Sequence, residues 1–218
     1  MIILDQDLKR QVEAELRWDP CLNESDIGVS VKNATVTLSG FVHSYSDKHD
    51  AEVAAKRIAG VAGVANDIEV RLPTSDQRPD PEIARDVVAG IQSQLFGTEQ
   101  TIKPVVSNGG VVLEGEVDWH YQRERAENMA RCVRGVRTVT NRIKLRSRPA
   151  VAEIKGRIEE ALKRSAVLEA RAITVESHDG DVVLKGQVHS WAERQEADRA
   201  AWAAAGVKKV DNRLSVTH

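Results

Sequence analysis

One short stretch, Val36-Thr-Leu38-Ser-Gly40-Phe-Val42, recurs as Val111-Val-Leu113-Glu-Gly115-Glu-Val117 and again as Val182-Val-Leu184-Lys-Gly186-Gln-Val188. Each is followed by a second block, Gly60-Val61-Ala-Gly-Val64-Ala-Asn66, Gly135-Val136-Arg-Thr-Val139-Thr-Asn141 or Gly206-Val207-Lys-Lys-Val210-Asp-Asn212. Glycine to glycine is 20 residues in all three, and glycine to asparagine is 26. Three glycine-aligned copies fit without a gap, over 5–70, 80–145 and 151–216. Self-similarity at this spacing means repeated supersecondary units, and a full set of elements in each copy favours separate beads over a continuous solenoid. Each unit is small enough that its own core is marginal, so packing between copies is expected.

Within a copy, apolar residues first recur at helical spacing: Leu8, Val12 and Leu16; Ile83, Val87 and Ile91; Ile154, Ile158 and Leu162. That is one stripe of an amphipathic helix. Alternation in Ile27-Gly-Val29-Ser-Val31, with Ile102 and Ile173 at the matching offset, marks a strand. The turns around Asn33-Ala34, Asn108-Gly109 and Asp179-Gly180 close a hairpin onto the glycine-bearing strand.

On that second strand the alternation puts Gly40, Gly115 and Gly186 on the core face, where a glycine marks close approach of another element. A second helix follows, entered through Ser44 with Asp47 and Ser190 with Glu193 as capping boxes, whereas the middle copy offers no clean cap. Small residues Ala51, Ala126 and Ala197 repeat along it, and Gly60, Gly135 and Gly206 are expected to end it as C′ glycines. In the last strand Asn66, Asn141 and Asn212 land among apolar neighbours. A buried amide needs partners, so a structural tie is the main reading and a ligand-reading amide the alternative. Prolines at 73, 79, 81 and 149 stiffen the joints and predict restricted motion between copies.

The Leu-x-Gly-x-Val strand, followed by Gly-Val-x-x-Val-x-Asn at fixed distance, resembles the BON (bacterial OsmY and nodulation) domain family. The whole chain resembles three-BON proteins of the osmotically inducible type. The resemblance implies an α+β fold of three tandem BON domains, at 3–71, 80–146 and 150–217. Each would be α-β-β-α-β, with a three-stranded mixed sheet packed on two helices. It also implies association with phospholipid or envelope structures, a role in osmotic or other stress, and no enzymatic activity. Relatives with several such domains work in the periplasm.

Charge narrows the partners. The net charge is −2, and the copies hold 7 basic against 12 acidic, 9 against 9 and 11 against 11 residues. None shows the basic excess of a nucleic-acid module. The opening Met1-Ile-Ile-Leu-Asp5 segment lacks the pattern of a secretory signal, and no apolar run is long enough to span a bilayer, so a cytoplasmic protein is expected. Cys21 and Cys132 occupy unmatched positions, which predicts free thiols.

No phosphate loop, dinucleotide fingerprint or nucleophile elbow is present, no cofactor is expected, and the six histidines show no metal-ligand spacing. The candidate surface is aromatic and basic. Tyr45, Trp119 with Tyr121, and Trp191 all fall at the start of second helices, and copy two adds Arg123, Arg125, Arg131, Arg134 and Arg137. These aromatics either staple their own modules or form an exposed rim for lipid headgroups or a protein partner. Interleaved Glu124 and Glu127 support an ion-paired helix, with anionic phospholipid the expected partner if Trp119 and the arginines converge.

Overall fold

The protein is described from a computed structural model covering residues 4–20, 22, 26–95, 101–146, 154–165 and 172–216. Cys21 lies outside the described residues; Cys132 is an exposed free thiol. The first copy runs α1 (Asp5–Trp18), β1 (Ile27–Lys32), β2 (Thr35–Val42), α2 (Tyr45–Arg57), then a third strand in two pieces, β3 (Gly63–Asn66) and β4 (Glu69–Val70). The second repeats this as α3 (Asp80–Gln94), β5 (Ile102–Ser107), β6 (Gly110–Val117), α4 (His120–Arg131), β7 (Thr138–Asn141) and β8 (Lys144–Leu145). The third has α5 (Ile154–Arg164), β9 (Ile173–His178), β10 (Asp181–Val188), α6 (Trp191–Trp202) and an unbroken β11 (Lys209–Val216). In each sheet the glycine-bearing strand is central, antiparallel to the strand before it and parallel to the last. This is the expected mixed α+β sandwich, three times over.

Both helices of each module cover one sheet face, and three separate cores result. In the first, Leu8, Val12 and Leu16 from α1 and Val36 and Leu38 from β2 are fully or almost fully buried. Ala51, Ala54 and Ala55 are buried on α2, where methyl groups let the helix lie close to the sheet. The hairpin turns carry positive φ at Asn33, Ala34, Asn108, Gly109, Asp179 and Gly180, as the turn chemistry requires. An aspartate opening the first helix fastens two of them. The Asp5 carboxylate accepts the Asn33 and Ala34 N–H groups at 2.9 and 3.0 Å, and Asp80 accepts those of Asn108 and Gly109 at 2.8 and 2.9 Å.

Two expectations about glycine need correction. Gly40, Gly115 and Gly186 have φ of +106°, +135° and +131°, and a Cβ there would sit 2.0, 1.8 and 1.9 Å from the carbonyl oxygens of Asp26, Thr101 and Ala172. The close approach is therefore by backbone just ahead of the first strand, and the glycines are not buried in the core: Gly40 is exposed and Gly115 and Gly186 are half-buried. Gly60, Gly135 and Gly206 do not occupy C′. They are third in a four-residue turn one step on, closed by Val61 N–H to Ile58 O and its two equivalents at 3.3 Å. Their φ of +91° to +93° suits that position.

Entry into the second helix follows the serines where they exist. Ser44 Oγ accepts from Asp47 N–H at 3.0 Å and Ser190 Oγ from Glu193 N–H at 3.2 Å. The middle copy uses Gln122 instead, whose Oε1 accepts the N–H groups of Asp118 and Trp119 at 3.1 and 3.0 Å.

Candidate functional site

The three second helices converge, and a repeated set of side chains joins the modules there. Five residues beyond each central-strand glycine stand Tyr45, His120 and Trp191. Each reaches out of its own module. Tyr45 packs against the core of the second module, and Trp191 against the core of the first. His120 stacks on Trp202 of the third, with ring centroids 4.4 Å apart and planes within 7°. The contacts run three to one, one to two and two to three, closing a ring.

The asparagine of the last strand anchors each joint. Asn66 Nδ2 donates to Lys48 O at 2.9 Å and Glu52 Oε2 at 3.2 Å, and its Oδ1 accepts from Ile68 N–H at 3.3 Å. Asn141 repeats this with Arg123 O, Glu127 and Ile143, and Asn212 with Arg194 O, Asp198 and Leu214. Both N–H groups of each side chain donate and its oxygen accepts one bond, so a half-buried amide keeps its partners.

In the first two modules the carboxylate then pairs with the residue four further along its helix. Lys56 Nζ donates to Glu52 at 2.5 Å and lies 5.5 Å from the ring centre of Trp191. Arg131 pairs with Glu127, and its Nη1 reaches His49 Nε2 of module one at 2.8 Å. In module three that position is Trp202, so Asp198 has no cation on its own helix at this spacing. The consequences are opposite. Burial works to raise the Glu52 carboxyl, but hydrogen bonds from Lys56 and Asn66 outweigh it and hold it below the usual range. Asp198 is pushed up by burial, which Asn212 and His120 offset in part. The convergence leaves a cleft of ≈ 310 Å³, walled by Lys56, Arg57, Glu124, Glu196, Asp198 and Arg199. Its charges are mixed, and Arg199 is paired with Glu196 at 2.8 Å.

The BON domain profile matches residues 4–71, 79–147 and 150–218. The chain belongs to the BON domain family. Among curated proteins it is similar to the osmotically inducible protein Y of Escherichia coli (strain K12), 30% identical over 144 residues, which is 64% of this chain and 72% of that protein. Solved structures include the C-terminal domain of CdsD, a structural protein of the type III secretion system of Chlamydia trachomatis, at 15% identity and a TM-score of 0.26 over 99% of this chain and 100% of that one. The PrgH periplasmic domain follows at 12% identity and 0.23, covering 88% and 95%. Scores this low say nothing about how whole chains are arranged.

The BON modules of this chain do not gather the expected aromatic and basic residues on one surface. Tyr45 and Trp191 are taken up in joints, and Arg194 of its own helix lies 4.8 Å from the centre of the Trp191 ring, so the two do not form an open aromatic rim. Trp119 is the half-buried N-cap residue of α4. Arg131 serves the joint, and Arg123 lends its carbonyl to Asn141. Arg134 and Arg137 are exposed beyond the end of α4. Tyr121 and Arg125 do come together. Tyr121 is 56% exposed, and both line a shallow groove of ≈ 350 Å³ with Gln94, Glu124, Asn128 and Met129. Sequence reading missed Trp18, 84% exposed at the end of α1, and the joint roles of His49, His120 and Trp202. Equal offsets from the glycines could have pointed to His120, since Tyr45 and Trp191 share its position.

Proposed function

We propose that this chain is a non-enzymatic, osmotic-stress-related binding protein that lays the Tyr121–Arg125 side of its second module on anionic phospholipid surfaces. The supporting observation is the exposed Tyr121 ring beside the exposed Arg125 on one groove wall. A phenol prefers the boundary between apolar and wet surroundings, and each basic residue near an anionic leaflet is worth about 1 kcal/mol. The ring supports this reading because it fixes the groove on a platform of three modules. The likeness to an osmotically inducible protein supplies the physiological setting. Among the described residues no helix is long and apolar enough to cross a membrane, so contact through helices would be peripheral. The exposed Cys132 thiol suits a reducing compartment, which supports a cytoplasmic location.

The test is co-sedimentation with vesicles of graded anionic lipid content at two salt concentrations. Binding should rise with anionic lipid, weaken with salt and drop in Arg125→Glu and Tyr121→Ala. Protein left in the supernatant at every composition would contradict it.

Trp18 favours a second reading, a protein-interaction or chaperone-like scaffold in the same stress. An indole so exposed is a typical anchor for a protein partner. Partner capture lost in Trp18→Ala, with vesicle binding unchanged, would select this reading.

A further inference from the structure

We propose that the joint between the first and second modules is a pH-sensitive latch, closed while His49 is neutral and loosened when His49 takes up a proton. The inference does not depend on the lipid reading. It starts from the contact between His49 Nε2 on α2 and Arg131 Nη1 on α4 at 2.8 Å. Guanidinium nitrogens only donate, so Nε2 must be the accepting, unprotonated nitrogen of the ring. Protonation turns that acceptor into a donor and places imidazolium against guanidinium.

Arg131 cannot easily turn away. It is held by Glu127 and by Asn128 Oδ1 at 3.0 Å, and Glu127 is tied to Asn141 at 3.0 Å. Its Nε is buried and makes no hydrogen bond among the described residues, so the joint offers that nitrogen no acceptor to turn to. The other charges facing His49 are Asp50 and Glu52 on its own helix and Glu127 on α4, all of which favour the protonated ring. They do not prevail. Burial first and the Arg131 charge second hold the His49 pKa below its ordinary 6.5.

The sign follows. A histidine whose folded pKa is depressed costs the closed joint nothing above about pH 6.5, and weakens it as pH falls through that value toward the folded pKa. The other two joints lack this arrangement. Trp191 meets Lys56, and His120 stacks on Trp202, so neither sets a ring nitrogen against a guanidinium. Acid therefore releases one joint of three and opens the ring between α2 and α4.

Amide hydrogen exchange on the full chain, corrected for intrinsic rates, tests this at about pH 7.5 and pH 5. In the wild type, protection in α2 and α4 should fall by about tenfold at the lower pH while α5 and β10 hold theirs. His49→Gln keeps a neutral acceptor for Arg131 and should keep that protection. Equal loss in both proteins, or none in the wild type, overturns the proposal. The His49 ring resonances of the wild-type chain give an independent check. Their titration must coincide with the loss of protection, and a ring that titrates without loosening also overturns it.

Discussion

His120 and Trp202 stack ring on ring across the boundary between the second and third modules, 4.4 Å apart, though nothing in the sequence near either predicts the other. His120 shares its offset with Tyr45 and Trp191, and Trp202 shares its own with Lys56 and Arg131. Trp191 with Lys56 and His120 with Trp202 thus serve one geometric role with unlike chemistry, while at the remaining joint Arg131 meets His49. A repeat can keep the position of a joint while varying what fills it.

Trp191→Ala should empty one such position. The indole packs on the core of module one, so the loss should appear there. A cost of roughly 2 to 3 kcal/mol is expected, below the full value for a buried tryptophan because the ring is half exposed. Site-resolved exchange that weakens in α2 (Tyr45–Arg57) as well as α6 confirms the placement. Weakening confined to module three would place the ring on its own core.

Gly115→Ala and Gly156→Ala should move stability in opposite directions. At Gly115 the added carbon meets Thr101 O at 1.8 Å with φ at +135°, and about 3 kcal/mol or more should be lost. Gly156 lies in α5 with nothing within 4 Å of such a carbon, so replacement should gain up to about 1 kcal/mol of helix propensity. Denaturant unfolding of both variants measures the contrast, and equal behaviour would refute the assigned conformations.

Asp198→Asn should stabilise the protein at neutral pH. Burial raises the Asp198 pKa, so its ionised form costs stability once pH has risen through the folded value. Below the unfolded value of about 3.8 that cost is absent. The variant should melt higher than wild type near pH 7, with the difference closing toward pH 4. A constant difference across that range would mean packing, not charge, is responsible.

The modules were legible because their constraints are local. Leu8, Val12 and Leu16 announce α1 by spacing alone, and Asn33-Ala34 announces its turn by the residues it tolerates. Gly40 was legible as a special position, but parity alone cannot see that its positive φ turns the missing side chain toward Asp26 O. The ring was not legible. Tyr45 and Trp191 read first as staples of their own modules and otherwise as a surface rim, because the choice depends on what a neighbouring module presents, which no window of sequence contains. Arg131 likewise sits among acidic neighbours on α4, and its contact with His49 spans 82 residues.

Small-angle scattering of the full chain in dilute solution tests the closed ring most directly. Three modules drawn together should give a radius of gyration of about 17 to 20 Å, near that of a compact chain of this length. A value near ~25 Å, as for three such modules strung end to end, would contradict the ring and the joints built on it.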